Sequence, residues 1–334
     1  MKNPKKSIII DLCKQLNLPH FLVVYVGADG GNEIDFEHIA SICEVHAVEP
    51  RMGSENTLPN LGGFGNFVCH NTALSDKIGP QTLYVTEDPY ASSLLKPNLI
   101  NIKRWRGSDR GFKVKEEKIV DCETLDSFSK KTNITKCDFI KLDTQGTELN
   151  ILLSGMNLVS NTSIISMEIE FVRLYQDQYL FDDVVRELSK MGFRYVNFTH
   201  GHSLGSLDRG NSPQKRIWSD TLFLRDTPGK MKREEILKAA IILYEMGYED
   251  EAIWFMQDHG IAEENIAQIA NSFRKFAMSE KGFIIRKFLF PIYLAMRNLS
   301  FPGRLMLAQT LTRFPFMRAL RRNGMIYGSK ESKD

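Results

Sequence analysis

Two short stretches carry residue types and spacings suited to holding a ligand and moving a proton. In Val26-Gly-Ala-Asp-Gly-Gly-Asn32, glycines at 27, 30 and 31 permit a tight turn and let a ligand approach the main chain closely. The N–H groups opening a following helix would then face an anionic group. Glu49 ends the next apolar run, where its carboxylate can accept both hydrogen bonds of a ribose diol. The glycine spacing departs from GxGxxG, which disfavours a dinucleotide. An ordinary glycine turn beside a solvated Glu49 is the competing reading.

The second stretch is Asp138-Phe-Ile-Lys-Leu-Asp-Thr-Gln-Gly-Thr-Glu148. Asp143 closes an apolar run, the position at which ligands bind in open α/β sheets. Gly146 lets the chain turn sharply. Glu148 falls in the first turn of the next helix, where the helix dipole alone would favour a carboxylate. Glu168 and Glu170 end a later apolar run, and their spacing of two puts both on one face of a strand. Asp143, Glu168 and Glu170 are therefore the candidate acid–base residues, with His200 and His202 as further candidates. Two histidines without a third ligand do not make a metal site, and no metal ligand set is assigned. His20, His38, His46, His70 and His259 are read as core or surface residues.

These residues need a scaffold that brings strand ends together. The continuous apolar run 21–26 has the pattern of a strand buried on both faces of a parallel sheet. A helix is predicted over 33–43 and a second strand over 45–48, completing a nucleotide-binding βαβ order. Further strands are predicted over 67–74, 82–85, 137–143 and 163–169, with helices over 7–16, 124–131, 147–154 and 181–191. Residues 86–112 read as an irregular loop, and 193–199 with 221–224 as a terminal hairpin around a polar loop. This alternation indicates a doubly wound α/β sheet.

Near residue 226 the character changes. Two helical patterns, 231–245 and 249–258, form a single pair without a second copy, which reads as a packing appendage. Between 272 and 328 stand eleven Lys/Arg and one acid, interleaved with phenylalanines. The expected organisation is a catalytic domain over 1–226, a helical pair over 227–271 and a basic aromatic helical tail over 272–334. Two readings of the tail stay open: shallow insertion into an anionic membrane surface, or a small helical core with a solvated basic face.

Composition bounds the function. Across 334 residues, 43 Lys/Arg and 41 Asp/Glu leave a net charge of +2, which argues against a nucleic-acid binder. The five cysteines are scattered and form no CxxC, so reduced thiols in the cytoplasm are the simpler reading. The N-terminal apolar stretch is too short for a signal peptide, and no run is long enough to span a membrane.

The motifs resemble the FkbM-type methyltransferases. The resemblance lies in Val26-Gly-Ala-Asp-Gly-Gly-Asn32, Val48-Glu-Pro50, Asn71-Thr-Ala-Leu-Ser-Asp76, Ser92-Ser-Leu-Leu95, Thr124-Leu-Asp126, Phe139-Ile-Lys-Leu-Asp-Thr-Gln-Gly-Thr-Glu148 and Trp218-Ser-Asp-Thr-Leu-Phe223, in family order over residues 20–225. It implies a class I, Rossmann-like S-adenosylmethionine fold with a C-terminal helical appendage, and O-methylation of a sugar, glycan or natural-product hydroxyl. It further implies cofactor contacts at Gly27, Asp29, Gly31 and Glu49, with Asp143 near the sulfonium or the acceptor. The chain departs from the family at Gln145, where a glutamate is common, and at Asp29, where asparagine is usual. A catalytically silent methyltransferase-like interaction protein and a Rossmann NAD-dependent oxidoreductase are the competing readings. The implied partner is a glycan acceptor, lipid-linked if the tail meets a membrane.

Overall fold

The computed structural model describes residues 7–18, 20–28, 34, 36, 38–50, 63–104, 110–204 and 215–277. Residues 18–239 form one compact unit, and the described parts of 1–17 and of 240 onward form another.

The larger unit holds β1 (Phe21–Val26), β2 (Cys43–Val48), β3 (Asn66–His70), β4 (Ala73–Leu74), β5 (Gly79–Thr86), β6 (Val114–Glu123), β7 (Cys137–Leu142), β8 (Thr162–Glu170), β9 (Phe193–Leu204) and β10 (Lys215–Arg225). Its described α-helices are α2 (Leu99–Ile102), α3 (Leu125–Thr132), α4 (Glu148–Leu153), α5 (Met156–Val159), α6 (Phe181–Lys190) and the start of α7 (Arg233–Glu245). Seven strands form one sheet in the order β3-β2-β1-β7-β8-β10-β9. β3, β2, β1, β7 and β8 run parallel, and β10 runs antiparallel to both its neighbours. This is the doubly wound sheet expected from the alternation of strands and helices, with one antiparallel strand near its edge. A second, three-stranded sheet, β4-β6-β5, is inserted between β3 and β7.

The central strands form where the apolar runs are densest. All nine residues of β8 and all six of β7 are buried, as expected of parallel strands covered on both faces. On one face Val24, Val26, Ile140, Leu142, Ile165, Met167 and Ile169 share a core with Leu125, Phe128, Leu149, Val184 and Leu188. The helices that close this core are locally specified. Thr124 caps α3 by accepting from Ser127 N at 3.2 Å, and Asn133 ends it in the left-handed region at φ 57°. On α6, Val184 and Leu188 stand four residues apart and are both buried, so the helix lies on the sheet through one stripe.

A buried ion pair tethers the opposite end of the sheet. Asp138, at the start of β7, accepts from Leu22 N at 2.8 Å and from Lys238 of α7 at 3.2 Å. Lys238 also reaches Glu234 at 3.2 Å. Burial raises the Asp138 pKa, and the Lys238 ammonium opposes that rise.

Several sequence expectations change. The helix over 33–43 does not appear among the described residues, which show only a 3-10 turn at Ala40–Ile42 running straight into β2. Ile34 and Phe36 are both buried at a spacing of two, which does not suit one face of a helix. The strand over 67–74 divides at Asn71 and Thr72, with β3 joining the main sheet and β4 the small one. β6 was not expected: its first residues are exposed, and only Val120 and Cys122 are buried. Pairing with β5 from Gly79 to Thr86 supplies what apolar pattern does not.

The smaller unit holds α1 (Ser7–Gln15), the end of α7, α8 (Glu249–Asp258) and α9 (Glu263–Ala277). Tyr244 stacks on Phe273 with ring centroids 4.7 Å apart, and Gln268 donates to Gln15 at 3.0 Å. α9 is a third helix beyond the expected pair. Among the described residues, no helix is long and apolar enough to cross a membrane. The basic aromatic tail beyond Ala277 lies outside the described residues.

Candidate active site

The sheet reverses its winding direction between β1 and β7, and the crevice at the carboxyl ends of these strands is where open α/β sheets bind ligands. Gly27, Glu49 and Asp143 stand directly after β1, β2 and β7. Main-chain bonds hold the three ends together: Gly27 N donates to Val48 O at 3.0 Å, and Asp143 N donates to Val26 O at 3.0 Å. Gly27 adopts φ 77°, and a Cβ there would overlap the Asp143 carbonyl. Its glycine is thus required by the packing of β1 on β7. Glu49 is buried, 3% exposed, and its N–H donates to His70 O at 3.1 Å.

The register of β7, β8 and β10 places a set of charged residues on one face of the sheet. Lys141 pairs with Ser166, and Asp220 with Glu168. Asp143 extends this row past the end of β7, and Glu170 lies one residue pair further along β8. Lys141 donates to Asp220 at 2.9 Å.

Gln145 joins two of these carboxylates. Its Nε2 donates to Asp143 Oδ1 at 2.8 Å and to Glu168 Oε1 at 2.9 Å. Its Oε1 lies 3.1 Å from the Tyr175 hydroxyl, which is also 3.0 Å from the Ala91 carbonyl. Ser93 donates to the Gln145 main-chain carbonyl at 2.8 Å. Gln145 holds φ 59°, a left-handed conformation rare for a residue with a Cβ, and Gly146 follows at φ 99°.

Glu148 has a different task. Its two oxygens accept from Thr144 N at 2.7 Å and Gly146 N at 2.9 Å, locking the turn that carries Gln145. Its carboxylate thus serves the turn that precedes α4, a role different from the helix-dipole one expected for it.

Burial and repulsion from neighbouring carboxylates raise the proton affinity of Glu168 and Glu170. Glu168 is pushed well above the usual carboxylate range, first by burial and then by Asp143, Glu170, Asp220 and Glu148. Glu170 is likewise raised, by burial and then by Glu148 and Asp143. The Tyr175 hydroxyl is raised by burial and by the same carboxylates. The Gln178 side chain partly offsets the rise at Glu170 through a hydrogen bond. Gln178 is held by its other end, accepting from Leu174 N at 2.9 Å and Tyr175 N at 3.1 Å.

The structure thus brings Gly27, Glu49, Asp143, Glu168 and Glu170 to one end of the sheet. Asp29 and Gly31 lie outside the described residues, as do the side chains of His200 and His202 on β9. Tyr175, Gln178 and Ser93 were not among the expected site residues. Ser92-Ser-Leu-Leu95 had marked the neighbourhood of Ser93 as a motif, but nothing in the pattern of residues 175–178 pointed to the site. His46 and His70, read as unremarkable, face each other at 2.9 Å across β2 and β3. No group of three or more metal-ligating side chains occurs among the described residues.

The donor set fits a cationic adenosyl cofactor. The buried Glu49 carboxylate suits a ribose diol, and Asp143 at the end of β7 suits the positive charge of a sulfonium.

The sequence profile of the methyltransferase FkbM domain matches residues 26–195, just over half of the chain. No curated protein matches the chain. Among solved structures, the chain is similar to magnesium protoporphyrin IX methyltransferase from Synechocystis PCC 6803 with bound SAM, at 12% identity and TM-score 0.31, covering 66% of this chain and 78% of that one. It is also similar to an S-adenosylmethionine-dependent methyltransferase from Clostridium acetobutylicum ATCC 824, at 9% identity and TM-score 0.27, covering 68% and 93%.

Proposed function

Because the chain belongs to the FkbM family of methyltransferases, we propose that it moves a methyl group from S-adenosylmethionine to a hydroxyl of a sugar or glycan. The observation that carries this reading is the set of carboxylates at the ends of β7 and β8, two of them with raised proton affinity, beside Gly27 and Glu49. The cofactor supplies a methyl group already activated on a sulfonium. Glu49 would hold the ribose hydroxyls. Asp143 would face the positive charge of the sulfonium at the crevice.

What remains for the protein is alignment and removal of the acceptor proton. An alcohol is a weak nucleophile until its proton leaves, and a base works best when its pKa is close to the working pH. Glu168 and Glu170 are shifted in that direction, whereas an ordinary surface carboxylate is too weak a base. Family membership sets aside the oxidoreductase reading.

The five cysteines are thiols rather than disulfides, which supports a cytoplasmic setting. The basic aromatic segment 272–334 is suited to an anionic membrane surface and hence to a lipid-linked acceptor. Because α9 continues to Ala277, a truncation that tests this should end there. Equal co-sedimentation of full-length and truncated chains with anionic liposomes counts against the membrane reading.

Calorimetric titration with S-adenosylmethionine, S-adenosylhomocysteine and NAD tests the cofactor. Binding of both adenosyl ligands and not of NAD is expected; absence of adenosyl binding overturns the assignment. Transfer of labelled methyl to a panel of sugars and glycans then tests the acceptor.

A further inference from the structure

Gln145 sits where two buried carboxylates converge, and its side chain is fixed from every side. Asp143 and Glu168 come from different strands, yet a single nitrogen, Gln145 Nε2, lies 2.8 Å from one and 2.9 Å from the other. Two carboxylates that share a site need something positive between them: a proton, a cation or hydrogen-bond donors. An amide NH2 has two hydrogens and can give one to each. The orientation follows from the partners, because the reverse would turn the amide oxygen onto two carboxylates. The Tyr175 hydroxyl meets Oε1 at 3.1 Å, and Ser93 holds the main-chain carbonyl at 2.8 Å. These two come from segments far apart in the chain, one before β6 and one after β8.

We propose that Gln145 is a positioning residue whose amide occupies the point between Asp143 and Glu168 that a bridging cation would otherwise take, so that the site is set for methyl transfer without a divalent metal. The inference rests on the methyl-transfer reading only in treating these two carboxylates as part of the reaction site. The neutral amide neutralises no charge but ties both carboxylates to fixed positions. A carboxylate at 145 would instead place three acids around one point, in a neighbourhood that already holds Glu148, Glu170 and Asp220. Such a set would demand a proton or a metal.

The test uses the full chain and Mn²⁺ as the probe, read by electron paramagnetic resonance and thermal unfolding. Wild type is expected to show no stoichiometric bound-Mn²⁺ signal and the same melting temperature in EDTA and Mn²⁺. Gln145→Glu is expected to gain a stoichiometric Mn²⁺ signal and a cation-dependent rise in melting temperature. Gln145→Ala, which opens the same point without adding a charge, is expected to gain weaker Mn²⁺ binding and decides the matter if the glutamate variant does not fold. Stoichiometric Mn²⁺ binding by wild type that Asp143→Asn abolishes overturns the proposal, as does a folded Gln145→Glu or Gln145→Ala without Mn²⁺ binding. A parallel titration of wild type with S-adenosylhomocysteine in EDTA keeps the two readings apart. Loss of that binding alone counts against the cofactor assignment and leaves the Mn²⁺ result standing.

Discussion

The main-chain carbonyl of Asp143 lies so close to Gly27 that position 27 has no room for a side chain. The contact joins the ends of β1 and β7, the two strands between which the sheet changes direction. A glycine expected to border a ligand is therefore also a structural requirement of the crevice.

Gly27→Ala should lower stability by about 2–4 kcal/mol, because it adds both a positive-φ penalty and an overlap with main chain. Urea unfolding measures this directly. A drop of less than about 1 kcal/mol would mean that the two strand ends separate easily. Loss of cofactor binding in this variant must be read together with its stability.

Glu49→Gln keeps the shape of the side chain and removes its charge. A hydrogen bond to a charged group contributes about 1.5–3 kcal/mol, so affinity for S-adenosylhomocysteine should fall roughly 10- to 100-fold. The melting temperature of the unliganded protein checks that the fold is retained. Unchanged affinity would remove Glu49 from the cofactor site.

Glu168 and Glu170 predict how stability depends on pH. Their folded pKa values are raised, so the folded state holds protons that the unfolded chain releases above about pH 4.5. The stabilisation this provides is full below that value and is lost as pH rises through the raised pKa values. The slope reaches about 1.4 kcal/mol per pH unit for each proton held. Asp183 and Glu187, lowered by partners on the surface, act in the opposite direction but only below the ordinary carboxylate range. Glu168→Gln and Glu170→Gln should each flatten the profile and raise stability at alkaline pH. Chemical denaturation at a series of pH values reads this, and a profile unchanged by both substitutions would refute the buried-acid account.

The Asp138–Lys238 pair should behave as a buried ion pair, with both side chains less than a tenth exposed. Lys238→Met leaves Asp138 buried with its main-chain donor but without its cation. A loss of about 3–5 kcal/mol is expected, and Asp138→Leu in the same chain should restore part of it. A double-mutant cycle in urea gives the coupling. Additive losses would show that the pair is not coupled.

Much of this architecture was legible because burial on both faces leaves long apolar runs in the chain. β1, β7 and β8 appear that way, and an acid immediately after such a run marks a strand end, as at Glu49 and Asp143. β6 left no such mark: its surface-facing residues are charged, and partner pairing defines it. The helix expected over 33–43 did have helical spacing, at Phe36, Ile39, Ala40 and Cys43, but β2 takes up Cys43 and only a 3-10 turn at Ala40–Ile42 precedes it among the described residues. Glu148 was legible only as a choice between the helix dipole and the site, and its bonds to Thr144 and Gly146 give it another task, holding the turn before α4.

By itself the sequence determined which segments are buried, where the parallel strands end, and that acids stand at those ends. These properties are written locally, in the order of apolar and polar residues. Only the tertiary structure decided that Gln145 meets Asp143 and Glu168 together, with Tyr175 and Ser93 closing around it. That meeting depends on β7 lying beside β8 in one register and on two distant loops folding over the same strand ends. Sheet order and register arise from many weak contacts summed over the whole core, and no short stretch of residues encodes them.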